Sequence, residues 1–300
     1  MRYGSGVALV LTAGCLWSLM GLGLRQIDAA SVWAILFWRS VGMVPVLLAY
    51  ITWTSGGRPL TALRSVGLAG AIGGFGLVFA FAGAIFAIQT TTIANAVFLF
   101  TASPFVAAIL GWIILRERVR PATWVAIALA IVGMYVMVRE GLEMGEAAGN
   151  FAALLSAVGF GAFTVTLRWG RLADMLPAAL LGGIFSIFVA AVVLTAQGQS
   201  ILVSGHDIGI AMGIGAVILA VGMVLYTLGS RVIPAAEATL FSLIEVMLAP
   251  IWVWLVLGET ASANTFLGGA ILMAAVVLNG VAGLRPQSQG VALPPQPVNE

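Results

Sequence analysis

Few side chains in this chain could carry chemistry. Its 300 residues hold Lys+Arg 13, Asp+Glu 11, one histidine and one cysteine, and every basic residue is an arginine. Hydrolysis inside a bilayer would need a Ser/His dyad, paired aspartates or a metal cluster. His206 stands alone at a loop–helix junction, and Asp28, Asp174 and Asp207 fall in expected loops. No catalytic set, metal site or cofactor is expected, and the chain does not read as an enzyme. Cys15 has no second cysteine to pair with, so it reads as a small packing residue. There is no GxxxxGK[ST] loop. ATP is therefore excluded as a partner, and a solute or ion gradient must supply the work. A net charge of +2, thinly spread, excludes a nucleic-acid footprint.

What remains is a handful of groups placed where lipid is expected. Ionisable side chains in hydrocarbon are costly and face a cavity or one another. Arg39 lies about 12 Å below the outer end of its apolar run, and Glu245 about 13 Å below the outer end of its own. The matching depths suggest that the two pair. Two roles stay open: a structural lock between helices, and a direct hold on a solute's charged groups or on a proton. Glu237 follows Pro234 by three residues, where a helix dipole favours a carboxylate. Asn95, its counterpart in the repeat set out below, shares a helical face with Thr91 and Phe98 and could meet a solute near the outer mouth. Glu117 and Glu259 end apolar runs at opposite faces and are expected to bind nearby arginine or backbone groups. Trp17, Phe75, Phe79, Phe98, Phe160 and Tyr226, with Phe241, are candidates to line a mostly apolar pocket. Pro104 and Pro250 lie inside runs, where proline removes a backbone hydrogen bond. They are candidate hinges.

Helices must position these groups. The chain is 61% hydrophobic and 8% charged, with a mean hydropathy of +1.12. A soluble domain carries about 25% charged residues, so this is an integral membrane protein. Apolar runs fall at 5–24, 31–53, 65–88, 90–115, 121–138, 148–168, 175–196, 206–229, 234–257 and 262–283. Most are close to the roughly 20 residues that a spanning helix needs, and they are continuous rather than alternating, which excludes a barrel. With the N-terminus inside, ten arginines fall on the cytoplasmic side and only Arg25 and Arg139 outside. That bias orients the chain, and an even number of spans puts both termini in the cytoplasm. The acidic stretch Glu140, Glu143 and Glu146 is expected in an outer loop. Residues 285–300 are rich in proline and glutamine and are expected to be a disordered cytoplasmic tail.

The chain also repeats itself. An offset of 142 over the window 94–128 matches Ala94/Ala236, Ala96/Ala238, Ala107/Ala249, Ile109/Ile251, Trp112/Trp254, Leu115/Leu257, Glu117/Glu259, Thr123/Thr265 and Ala128/Ala270. Nine identities stand where chance in so biased a composition gives about three or four. An offset of 143 pairs Leu24-Arg25 with Leu167-Arg168. A repeat of five spans is odd, so its second copy enters the membrane the other way up. Such inverted pairs are the architecture of alternating-access carriers, which bind their solute at the midplane between the halves.

The stretches 95–138 and 235–278 resemble the two signature segments of the EamA-like branch of the drug/metabolite transporter superfamily. Leu16-Trp17-Ser18 and Phe37-Trp38-Arg39 resemble that family's pattern as well. The resemblance covers nearly the whole chain. It implies an all-α protein of ten transmembrane helices, arranged as two inverted five-helix repeats (1–140 and 147–284) around a central cavity. It implies export of small metabolites, often amino acids, across a bacterial inner membrane, and the chain is similar in type to YddG-like aromatic amino-acid exporters. A small-molecule substrate and the lipid bilayer are the expected partners, and a monomer the expected state. Two positions depart from the pattern: Glu245-Val246 stands where the family has Glu-Pro, and Gly258-Glu259-Thr260 where it has Gly-Glu-Arg.

Overall fold

A computed structural model describes residues 2–143, 146–172 and 174–284. Ten stretches are helical, long and apolar enough to cross a membrane, and no strand occurs among the described residues. Span one is α1 (Tyr3–Ser18) with α2 (Met20–Leu24), and span two is α3 (Val32–Thr54). A short helix, α4 (Pro59–Ser65), leads to span three, α5 (Gly67–Thr90). Span four is α6 (Ile93–Phe100) with α7 (Ser103–Leu115), and span five is α8 (Pro121–Glu143). Spans six and seven are α9 (Ala147–Trp169) and α10 (Leu176–Ala196). Span eight joins α11 (Gly205–Gly213) and α12 (Gly222–Gly229) through a π-helical stretch, Ile214–Val221. Span nine is α13 (Ala235–Ser242) with α14 (Ile244–Leu257), and span ten is α15 (Ala263–Leu284).

Local chemistry sets several of these limits. Ser31, Thr92 and Ser204 each precede a helix and accept a hydrogen bond from an N–H in its first turn. Helices α7 and α14 both end on a left-handed residue, Arg116 at φ 55° and Gly258 at φ 67°. The two are counterparts in the repeat, so the turn has been kept even where glycine was not. One expectation is corrected here. Glu140 and Glu143 lie within α8 rather than in a loop, because no proline follows Val138 there and glutamate is a good helix former. The expected tail, 285–300, lies outside the described residues.

Helix packing repeats along with the sequence. Span three packs on span six, as span eight packs on span one. Span four packs on six as nine does on one, and three on seven as eight does on two. The pairs two–seven and five–ten map onto themselves. With no hydrophobic drive between helices in lipid, small residues let the backbones close up. Gly159 is one such residue, since a Cβ there would come within 2.6 Å of the Ala80 nitrogen on span three.

Candidate functional site

Regular helix is interrupted inside the membrane at matching places. Pro104 is the second residue of α7, where its ring excludes a helical bond to the carbonyl of Phe100. Span four accordingly breaks at Thr101–Ala102. Span nine breaks at Leu243, the counterpart of Thr101, although no proline causes it. Pro250 lies within α14 and marks no break, so the expected hinge in span nine moves two turns toward the N-terminus. Broken helices at membrane depth are tolerated where the freed backbone lies in protein or lines a cavity.

In span two Arg39 is 1% exposed, its guanidinium carbon 4.4 Å from the centre of the Phe81 ring. Its Nε and Nη2 have no hydrogen-bond partner. The expected pair with Glu245 does not form. Arg39 leaves span two toward span three, whereas Glu245 sits in the first turn of α14 against Gly14 of span one. Depth alone carried that expectation, and depth does not tell which neighbour a side chain faces. Phe81 was not anticipated. Phe75 and Phe79 lie on another face of the same helix, in edge contact with each other and about half exposed. Trp17 packs on Gly222, with its ring 5.6 Å from that of Tyr226. Phe241 is packed around Val10, Ile233 and Ala238. Phe98 lies against Gly269, and Phe160 contacts Phe100 and Phe163.

Asn95 is 2% exposed and belongs to a polar cluster that the sequence did not reveal in full. Its amide donates to the Asn150 carbonyl oxygen and to Thr91 Oγ1, and the Thr91 hydroxyl donates to Glu146 at 2.6 Å. Asn150 is the asparagine inside an otherwise apolar stretch of span six, and that contrast was the available signal. Glu237, the equivalent of Asn95, accepts the Tyr3 hydroxyl at 2.5 Å. Glu117 and Glu259 do pair with arginine, Glu117 with Arg168 at 2.6 Å and Glu259 with Arg25 at 3.2 Å. Asp28, His206 and Asp207 come together, with ligand-type atoms within 4.8 Å of one another. Asp207 is engaged there already, accepting the N–H groups of Asp28, Ala29 and Ala30. It staples the loop after span one onto span eight.

The two ends of the seam are packed differently. At the face where span one ends, α6 packs on α14, α15 and α5. Helix α13 packs instead on α1 and on α15 of its own repeat, and it meets span eight through Tyr226, which hydrogen-bonds Thr239 and packs on Val10, Ile233 and Ala238. Residues 93–96 are buried as a run; of their described equivalents, Ala238 is buried and Glu237 partly exposed. Equivalent half-helices thus pack differently, α6 reaching across the seam to α14 and α15, and α13 resting mainly on α1 and on α15 of its own repeat. A depression of about 270 Å³ lies beside the contact of α6 with α14, lined by Ala94, Pro250, Val253, Trp254, Glu259 and Phe266. Its rings, Trp254 and Phe266, are more than half exposed and apolar, so it belongs to the lipid-facing perimeter.

The profile of the EamA-like transporter family matches this chain twice, at residues 4–139 and 147–281. The chain belongs to that family. An uncharacterized transporter of Archaeoglobus fulgidus is 27% identical over 284 residues, 93% of this chain and 96% of the relative. The uncharacterized transporter YwfM of Bacillus subtilis is 26% identical over 195 residues, 63% of this chain and 64% of its own length. A Synechocystis transporter, also uncharacterized, is 26% identical over 218 residues, 66% of this chain and 61% of that protein. The match thus spans less than two thirds of the Bacillus and Synechocystis proteins. A solved structure titled "Crystal structure of protein" shares the fold at a TM-score of 0.66 and 16% identity, over 95% of this chain and all of that one. This EamA-like chain is a multi-pass membrane protein of a transporter family, not of an enzyme family. Its relatives' names specify no substrate, so they lend no support to an aromatic amino-acid specificity.

Proposed function

We propose that this chain is an alternating-access exporter of small metabolites, amino acids foremost, with both termini in the cytoplasm of a bacterial cell. The observation that carries the reading is the unlike packing of equivalent half-helices. Segments α6 and α13 occupy the same place in their repeats, yet α6 crosses the seam to α14 and α15 while α13 rests on α1 and on α15 of its own repeat, which we read as a sealed and an open end. Two packings of one sequence-related unit are what a carrier exchanges as it turns over. Arginine counting puts the open end in the cytoplasm, which makes this arrangement the inward-facing one. On this reading the solute enters between α7 and α13 and meets Trp17, Tyr226 and Glu245. Arg39, buried and without an acidic partner, supplies the fixed positive charge that a carboxylate seeks.

Flux in proteoliposomes tests the reading. A panel of amino acids is loaded, with and without a pH gradient, and efflux is followed. Saturable and competable movement is expected. Flux that never saturates would indicate a pore, and none for any solute would leave a structural protein.

A further inference from the structure

The same ion pair stands at both ends of the seam, but in two settings. At the closed end Glu259 Oε2 lies 3.2 Å from Arg25 Nε, while Glu259 Oε1 accepts the N–H of Ile93, the first residue of α6, at 2.8 Å. Arg25 Nη2 donates to the Thr91 carbonyl, also at 2.8 Å. Glu259 therefore balances an arginine and caps a helix of the opposite repeat at once. The repeat offsets of 142 and 143 carry this clamp to Glu117, Arg168, Ile233 and Ala235 at the open end.

There the clamp is only half made. Arg168 Nη1 holds Glu117 at 2.6 Å, but its Nη2 donates to the carbonyl of Ala107 in span four at 2.8 Å. Glu117 is folded back over Gly111 of its own helix. Helix α13 starts after Pro234, and no side chain caps it. Helix α6, by contrast, also has Thr92, which accepts the Asn95 N–H.

We propose that Glu117 and Glu259 are positioning residues of the transport cycle that cap α13 and α6 in alternation. When the cytoplasmic end closes, Glu117 takes the Ala235 N–H and Arg168 turns to the Ile233 carbonyl. Glu259 releases Ile93 at the same time, and Arg25 turns to the carbonyl of Ala249, the equivalent of Ala107. Each ion pair survives the exchange, so no charge loses its partner. What passes from one end to the other is a carboxylate on a helix N-terminus, favoured by the dipole in both states. Thr92 has no counterpart at Pro234, and this biases the resting chain toward a sealed outer end. The inference rests on the alternating-access reading.

Cross-linking separates the two claims. In a Cys15→Ser background, Ala94→Cys with Thr260→Cys reports closure of the outer end. Ala236→Cys with Arg118→Cys, at the equivalent positions, reports closure of the inner end. A short bifunctional thiol reagent is applied to the full chain in liposomes, and the ratio of outer to inner product is read. Without further changes, both products are expected, with the outer one dominant; a complete absence of the inner product would sink alternating access itself. Glu259→Gln should lower the ratio about tenfold, the value of one hydrogen bond to a charged group at its lower end. Glu117→Gln should raise it by a similar factor, and the double variant should return it toward its starting value. Thr92→Ala alters no charge and should shift the ratio in the same direction as Glu259→Gln, which keeps the test open if a glutamine variant does not fold. Ratios that stay fixed, or move the same way for both glutamates, would overturn the capping exchange while leaving alternating access standing.

Discussion

Arg39 is the side chain whose setting most needs an explanation. A guanidinium stripped of water and given no carboxylate costs several kcal/mol in a dry interior. Its place over Phe81 returns about 2 kcal/mol of that through the ring's quadrupole. Removing it should therefore relieve the fold rather than damage it. Arg39→Met is expected to leave the melting temperature in detergent unchanged or higher, while carboxylate-bearing solutes lose about tenfold or more in flux, the value of one charge-assisted contact. A fall in both melting temperature and flux would make Arg39 a structural residue. The Asn95–Asn150 pair should behave in the opposite way. Asn95→Ala leaves the Asn150 carbonyl oxygen without its amide donor in a buried place, at a cost of about 1–3 kcal/mol. Adding Asn150→Ala should cost less than the sum of the two single changes, as thermal melts of the four proteins would show. Arg39 and Asn95 were legible from the sequence because a polar residue in an apolar run stands out. Their partners were not, since Phe81 is one ring among many and Asn150 lies two spans further along the chain.

At the level of helices, the ten spans were readable because charges and glycine-proline turns bound each apolar run. The breaks within spans were only half readable. Pro104 forces the break in span four, but span nine breaks at the equivalent residue with Val246 in the proline's place. The break is therefore held by packing around the seam as well as by the proline. It follows that Pro104→Ala should not heal span four completely. Alanine loosens the unfolded chain and adds an N–H that the persisting break leaves without a helical partner, so the melting temperature should fall slightly, a loss on the order of 1 kcal/mol. Flux should slow several-fold if bending at Thr101 is part of turnover, whereas Pro250→Ala, away from the break, should leave flux near its starting value. Equal slowing by both substitutions would show that the break is not where the bending happens.

For the whole molecule, the repeat could be seen because the two copies, aligned at an offset of 142, still share identities such as Trp112/Trp254 and Glu117/Glu259. Which half-helix reaches across the seam could not be seen, because the cap at Thr92, absent at Pro234, says nothing of the partners of α6 and α13. The proposed orientation, on the other hand, rests on the twelve arginines other than Arg39 and needs no coordinates. Short loops rich in arginine stay in the cytoplasm, with about 15–20 residues on either side of each span carrying the signal. Ten arginines against two favour the proposed orientation at almost every loop. A fluorescent protein fused after residue 284 should therefore mature and glow, and alkaline phosphatase at the same place should be inactive. Inserted beside Arg139, between spans five and six, the two reporters should exchange behaviour. Activity of the phosphatase after residue 284 would mean either an odd number of crossings or an inverted chain, and the insertion beside Arg139 tells these apart: an inverted chain reverses both sites, whereas a missing span in the second half reverses only the C-terminal one.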